Sequence, residues 1–142
     1  AGAPFGLWQP KDHPGAGVLN EPGALVWNEL NTRDVSAALA FYPAVFGWGH
    51  ETHTGAVDYT EWKVDGRSVA GMMPMPAAVP AQVPSHWLVY FGTADCDATA
   101  AKATELGASV TVPPTDIEPG RFSVMLDPTG AAFAVLQTKG DA

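Results

Sequence analysis

The chain has 142 residues, of which 46% are hydrophobic and 15% are charged, and its formal net charge is −8. This length favours one globular domain that buries about two-thirds of its unfolded surface. The negative charge argues against nucleic acids and anionic membranes as partners. The sequence shows no secretory leader and no run of about 18 apolar residues, and its single cysteine fits a reducing compartment. We therefore expect a cytoplasmic domain.

The first predicted unit begins with a strand over residues 24–32, which are rich in β-forming side chains. Asp34 follows as the N-cap of a helix, because its carboxylate can accept hydrogen bonds from free backbone N–H groups. Apolar residues then recur at helical spacing, and Gly47 occupies the position of a C-cap. Pro43 lies inside this helix and is expected to kink or shorten it.

Three more strands complete this unit, over residues 48–54, 57–64 and 67–74. Asp65-Gly66 between the last two strands predicts a tight hairpin turn. The connector that follows, residues 75–85, is rich in proline and can form neither a helix nor a central strand.

The second unit repeats the same order. A strand over residues 86–93 leads to a helix that either Asp95 or Asp97 caps. Cys96 therefore lies in the first turn of this helix, where a lowered thiol pKa is expected. Three further strands are predicted over residues 108–113, 121–127 and 131–137.

The sequence thus predicts an α+β fold of two βαβββ modules, over residues 24–74 and 86–137. Residues 2–11 agree with residues 130–139 at five positions, Gly, Ala, Phe, Gln and Lys. We interpret residues 1–23 as the last strand and the linker of a preceding module, followed by one domain over residues 24–142. Chance similarity between short apolar strands is the alternative.

Short motifs of aromatic, glycine and polar residues occur along both modules. They are Gly6-Leu-Trp-Gln, Trp27-Asn-Glu-Leu, Phe41-Tyr42, Phe46-Gly47-Trp48, His86-Trp-x-x-Tyr-Phe, Gly120-Arg-Phe and Asp127-Pro-x-Gly-Ala. With the order of elements, they resemble the glyoxalase/bleomycin resistance/dioxygenase superfamily, the vicinal oxygen chelate fold, and more narrowly the C-terminal half of tandem glyoxalase-like proteins. The resemblance implies that the two modules form a curled, U-shaped mixed sheet with the helices on its outer face.

Metal enzymes of this superfamily carry one ligand on the first strand and one on the last strand of each module. The resemblance assigns the first-strand positions to Trp27 and Leu88, and the last-strand positions to Ala70 and Ala134. None of these side chains can bind a divalent cation, which needs imidazole, carboxylate or thiolate donors. We therefore expect no metal site and no other cofactor.

Alternation along the strands groups the residues that share a face with these positions. Glu29 is a carboxylate in an otherwise apolar wall, and we predict that it contacts a ligand. A local hydrogen bond to Asn31 or Tyr90 is the alternative. The opposite face, which includes Leu30 and Val89, is expected to pack against the helices. The predicted ligand-binding residues are Trp27, Glu29, Asn31, Trp48, Tyr59, Met72, His86, Leu88, Tyr90 and Leu136.

Functions from different classes remain open. The first is a metal-free small-molecule-binding protein that holds a hydrophobic or aromatic ligand in the cavity of the sheet. The alternative is a glyoxalase-like lyase or isomerase with Glu29 as general base, assisted by His86 or Tyr90. A third is a structural remnant kept for assembly with a partner. We expect residues 1–12 either to join a sheet edge of their own domain or to cross to a second copy in a symmetric dimer, and the family resemblance favours the homodimer.

Overall fold

The computed structural model describes residues 2–140, which form eight β-strands and two α-helices. Along the chain the elements follow the order βαβββ twice, so the predicted α+β class and the two βαβββ modules are confirmed. No helix in this part of the chain is long and apolar enough to cross a membrane. The elements are β1 (Leu25–Thr32), α1 (Val35–Phe46), β2 (Gly49–His53), β3 (Tyr59–Val64), β4 (Arg67–Pro74), β5 (His86–Gly92), α2 (Cys96–Glu105), β6 (Ser109–Ile117), β7 (Gly120–Leu126) and β8 (Ala132–Thr138).

The chain divides into two compact units. Unit one contains the N-terminal residues through Gln9 together with Asn28–Trp87, and unit two contains Pro10–Trp27 and the residues from Leu88 onward. The strand order is β2-β3-β4-β1 in the first module and β6-β7-β8-β5 in the second. In each module the first strand pairs in parallel with the last, and the other pairs are antiparallel. The same mixed arrangement therefore occurs twice.

Both helices begin at an aspartate, as the sequence predicts. The side chain of Asp34 accepts a hydrogen bond from the backbone N–H of Ala37 at 2.9 Å, and α1 continues past Pro43 to its predicted end. Pro43 therefore does not shorten the helix. At α2 the N-cap is Asp95, whose side chain accepts from the backbone N–H of Ala98 at 2.9 Å. The other candidate cap, Asp97, instead forms an ion pair with Arg121.

The hairpin between β3 and β4 turns at the predicted dipeptide. Asp65 has a φ of 50° and Gly66 a φ of 75°, so both central residues are left-handed. This is the geometry of a type I′ turn, whose twist matches that of the two strands it joins. The turn prediction is confirmed.

The N-terminal segment differs from its prediction. Residues 2–12 form no strand in the structure, and Phe5 lies against α1 instead. The ring of Phe5 packs on Phe41, Tyr42 and Phe46, with ring centroids 6.2, 5.9 and 5.7 Å apart. The prediction that residues 1–12 join a sheet edge of their own domain is therefore wrong for the described residues. Aromatic packing on the helix replaces edge pairing, and the descent of this segment from a preceding module stays a prediction.

The helix-facing side of the sheet is buried in unit one and only partly buried in unit two. Leu30 of β1 packs in one cluster with Ala38 and Tyr42 of α1, as predicted. In unit two, Val89 remains about one-third exposed. The prediction that both first strands pack against the helices is therefore confirmed for Leu30 but not for Val89.

The thiol of Cys96 is fully buried in the cluster beneath α2. Burial raises the pKa of this thiol, and the nearby carboxylate of Asp97 raises it further. The expectation of a lowered pKa is therefore wrong. Loss of solvent around the thiolate outweighs the favourable field at the start of the helix.

We expect Cys96 in the native protein to react with iodoacetamide at pH 8 at least about tenfold more slowly than in the urea-unfolded chain, because only the thiolate is nucleophilic. Since the folded pKa is raised, the rate should begin to rise only at a higher pH than in the unfolded chain. Mass spectrometry of the alkylated protein over time measures both rates. Equal rates in the two states would contradict a buried, protonated thiol.

Candidate functional site

The central polar feature of unit one is a buried carboxylate–amide pair on β1. The side chains of Glu29 and Asn31 are only 5% and 8% exposed. They lie two residues apart and so on one face of the strand. The Asn31 Nδ2 atom donates a hydrogen bond to Glu29 Oε1 at 3.3 Å. The local hydrogen bond that the sequence left as an alternative is thus present, and it orients the carboxylate.

The residue beside Glu29 on the last strand of its module is Gly71, not the predicted Ala70. In unit two the corresponding partners are Tyr90 and Ala134, and Ala134 lies four residues after the turn glycine. In unit one a register shift between β3 and β4 leaves Val69 unpaired, which is a β-bulge. Gly71 therefore lies five residues after its turn glycine and opposite Glu29. The prediction for Ala70 is wrong by this one inserted residue.

A second carboxylate, which sequence reasoning missed, lies on the same face as Glu29. Glu61 of β3 is the partner of Gly71, so the two carboxylates are separated by one strand, with backbones about 10 Å apart. Hydrogen bonds from Ser68 and Lys63 lower the pKa of Glu61, so it is a charged group held in an ion pair. Glu61 could have been found from the sequence, because it lies two residues after the predicted Tyr59 on β3 and therefore shares its face.

The positions of the superfamily's metal ligands offer no donor for a metal ion. They hold Trp27 and Leu88 on the first strands, and Gly71 and Ala134 on the last strands after the register correction. Across residues 2–140, no three histidine, cysteine, aspartate or glutamate side chains come together to hold a metal ion. The residues present therefore do not fit a divalent cation.

Unit two contributes an apolar cluster at the equivalent face. The side chains of Leu88, Tyr90 and Leu136 are buried together with Ala134, and Trp27 packs against them. The structure thus brings four of the predicted ligand-binding residues together. Their burial makes this face a closed hydrophobic core within unit two, which supports the sheet.

Tyr59 and His86 belong to unit one. Tyr59 is half-buried at the start of β3. The His86 Nδ1 atom lies 2.9 Å from the carbonyl oxygen of Pro84 in the connector. Because a carbonyl only accepts, Nδ1 carries the proton in this contact, and the imidazole ring is anchored to the connector.

Two of the predicted ligand-binding residues lie on the opposite side of the sheet from Glu29. Met72 is the partner of Leu30 and is fully buried in the core under α1. Trp48 precedes β2, and its ring stacks on those of Phe46 and Tyr42. The bulge reversed the expected alternation in β4, and Trp48 follows no strand alternation because it lies outside the strand. Neither residue belongs to the Glu29 face.

Comparison with known proteins identifies the family to which this architecture belongs. A family model described as a glyoxalase-like domain matches residues 27–136. A protein of Mycobacterium tuberculosis named "Putative glyoxylase CFP32" is 48% identical in an alignment of 141 positions that covers 96% of this chain and 52% of that protein. The anthracycline biosynthesis protein DnrV of Streptomyces peucetius is 40% identical in an alignment of 141 positions that covers 98% of this chain and 50% of that protein. The chain thus spans about half the length of the curated relatives it matches.

Solved structures show the same fold. Methylmalonyl-CoA epimerase of Streptomyces coelicolor superposes with a TM-score of 0.62 at 20% identity, over 84% of this chain and 97% of that chain. The Mn(II)-bound glyoxalase of Novosphingobium aromaticivorans has a TM-score of 0.55 at 20% identity, over 82% of this chain and 39% of that chain. The similarity in fold agrees with the family match and with the motifs. The chain belongs to the glyoxalase-like domain family of the vicinal oxygen chelate superfamily.

Proposed function

We propose that this domain binds a small hydrophobic or aromatic molecule on its Glu29 face without a metal ion. The proposal rests on the buried, hydrogen-bonded pair of Glu29 and Asn31. The superfamily's metal-ligand positions beside this pair hold no side chain that could bind a metal ion. A buried carboxylate costs stability unless it is hydrogen-bonded, and such groups cluster at functional sites. The name of one relative places it in anthracycline biosynthesis, and anthracyclines are polycyclic aromatic compounds, which favours an aromatic ligand.

The chemistry of the pair supports a ligand that carries a hydroxyl group. A carboxylate offers about four acceptor sites, so Glu29 can accept from a ligand hydroxyl in addition to its contacts within the fold, among them the bond from Asn31. Gly71 beside Glu29 contributes no side chain to this face of the sheet. We therefore assign Glu29 the role of hydrogen-bond acceptor for the ligand, with Asn31 as its positioning residue.

The second candidate is catalysis, as a glyoxalase-like lyase or isomerase with Glu29 as general base. The burial of Glu29 favours this candidate, because a carboxylate held in place by a hydrogen bond is positioned to take a proton from a bound substrate. The relative named as a glyoxylase points in the same direction. Turnover of a substrate that Glu29→Gln abolishes, with unchanged substrate affinity, would select the enzyme over the binder.

The binding test uses 1,4-dihydroxyanthraquinone as probe and isothermal titration calorimetry as readout. Glu29→Gln should weaken binding by about tenfold or more, since a hydrogen bond to a charged group contributes about 1.5–3 kcal/mol. The matched control is Glu105→Gln, which removes an exposed carboxylate at the end of α2 and should leave binding unchanged. If Glu29→Gln lowers the melting temperature but leaves the affinity intact, Glu29 is structural and the proposal fails.

The metal-free part of the proposal is tested on the same purified protein. Elemental analysis after dialysis should find far less than one equivalent of nickel, zinc, iron or manganese per chain, in both the wild type and Glu29→Gln. One equivalent that Glu29→Gln removes would contradict a metal-free site and favour the enzyme. The homodimer and the cytoplasmic location that the sequence suggests stay predictions.

A further inference from the structure

A cavity lies in unit one, on the α1 side of the sheet. Its volume is about 330 Å³, near the lower end of the roughly 300–1,000 Å³ typical of ligand pockets. Six aromatic side chains line it: Phe5, Trp8, Tyr42, Phe46, Trp48 and Trp87.

 The cavity is therefore large enough for one small molecule of two fused rings and too small for a large ligand.

The cavity is separate from the Glu29 face. Its β1 residue is Asn28, which points to the opposite side of the strand from Glu29 because successive side chains alternate. Two of its walls come from Tyr42 and Phe46 of α1. A ligand in this cavity would therefore not touch the carboxylate–amide pair.

Two polar groups in the wall have hydrogen-bonding capacity to spare. The Trp87 Nε1 atom donates to the hydroxyl oxygen of Tyr42 at 3.0 Å, and Tyr42 is only 5% exposed. The hydroxyl proton of Tyr42 finds no acceptor within residues 2–140, although a buried hydroxyl normally donates. Asn28 Nδ2 donates to the carbonyl oxygen of Val69 at 3.2 Å, which leaves Asn28 Oδ1 as an acceptor. The wall thus offers one donor and one acceptor.

The aromatic rings are arranged to receive a flat molecule. The rings of Tyr42 and Trp48 are nearly parallel, at 13° and 5.7 Å between centroids. The ring of Trp87 is perpendicular to both, at 87° to Tyr42 and 90° to Trp48. Aromatic pairs are favourable in both the stacked and the edge-to-face arrangement. A planar ligand can therefore stack on one ring and meet another edge-on.

The N-terminal segment forms an incompletely covered wall of the cavity. Leu7 and Trp8 remain 78% and 65% exposed, although both line the cavity. A ligand would remove part of this apolar surface from water, which is favourable. The exposed residues and the spare polar groups thus occur in one place.

We propose that this cavity binds a planar hydroxylated aromatic molecule of two fused rings. The ligand stacks among the rings of Trp8, Trp48 and Trp87, its oxygen accepts the hydroxyl proton of Tyr42, and its own hydroxyl donates to Asn28 Oδ1. The site is independent of the proposed function at Glu29, because the two lie on opposite sides of β1.

The test titrates 2-naphthol, with naphthalene as the matched ligand without a hydroxyl, and follows the five indole N–H signals by NMR. The signals of Trp8, Trp48 and Trp87 should shift saturably, while that of Trp27 should not. Trp8→Ala should weaken binding of both ligands by about tenfold. Tyr42→Phe should weaken 2-naphthol by about tenfold and leave naphthalene nearly unchanged.

Two controls separate this site from the rest of the protein. Leu106→Ala truncates another exposed apolar residue, in unit two, and should bind 2-naphthol as the wild type does. Glu29→Gln should also bind normally, so that failure at the Glu29 face and failure here are distinguishable. Uniform shifts of all five indole signals, or none, would overturn the proposal. Shifts that depend on protein concentration without ligand, with a dimer in analytical ultracentrifugation, would assign the cavity to a second copy and overturn it as well.

Discussion

Gly120→Ala is expected to lower the free energy of unfolding by about 3 kcal/mol, since overpacking against rigid neighbours costs about 1–3 kcal/mol and sometimes more. Gly120 begins β7 and pairs with Thr138 of β8. A methyl group on its Cα would overlap the carbonyl oxygen of Gln137 and approach the carbonyl carbon of Gln137 to 2.9 Å. These are backbone atoms of the neighbouring strand, so no side-chain rotation relieves the overlap.

Urea unfolding followed by circular dichroism measures this loss. Gly17→Ala is the matched control, because Gly17 also belongs to unit two and no atom lies within 4 Å of the position of its added methyl group. The control should change the free energy of unfolding by less than about 0.5 kcal/mol. Equal unfolding midpoints for Gly120→Ala and the wild type would show that β8 can move away from β7, contrary to the close packing described here.

Trp62→Ala should lower the free energy of unfolding by about 3–5 kcal/mol. The indole of Trp62 is fully buried and contacts the rings of Tyr42 and Trp48, with centroids 5.6 and 5.8 Å away. Its truncation would leave a cavity in the core under α1, and the surrounding rings are too rigid to fill it. The expected loss is a large part of the total stability of a domain this size.

Trp62→Phe should cost much less, about 1 kcal/mol. Within residues 2–140, the indole N–H of Trp62 is a buried donor without a hydrogen-bond partner, and phenylalanine removes it. Removing an unsatisfied donor stabilises the fold by about 1–3 kcal/mol, which offsets much of the lost packing. The same urea titration measures both variants. A loss for Trp62→Phe as large as that for Trp62→Ala would mean that the indole N–H is satisfied in solution.

Most of the fold follows from local signals in the sequence. The cap at Asp34 and the stop at Gly47 fix the ends of α1, and Asp65-Gly66 fixes the hairpin. These signals depend on backbone chemistry within a few residues, so they can be read without the tertiary structure. The βαβββ order and the class of fold were therefore predictable.

The features that sequence reasoning missed depend on tertiary packing. The residues around Val69 give no sequence signal for a bulge. The bulge reversed the expected faces of Ala70 and Met72. The cavity on the α1 side joins residues as distant in the chain as Phe5 and Trp87. Such a set of residues has no period or spacing in the sequence. Glu29 and Asn31 were predictable as neighbours because they share one strand.

The bulge at Val69 also determines how this scaffold accepts engineered chemistry. An alignment on the turn glycines would match Ala70 with Ala134 and would introduce a new functional group at Ala70. That side chain faces the core under α1, where a charged group would be buried against Trp62. A group introduced at Gly71 would instead lie beside Glu29. The two modules are therefore offset by one residue. Functional side chains copied from one module to the other must be moved by one position along the last strand.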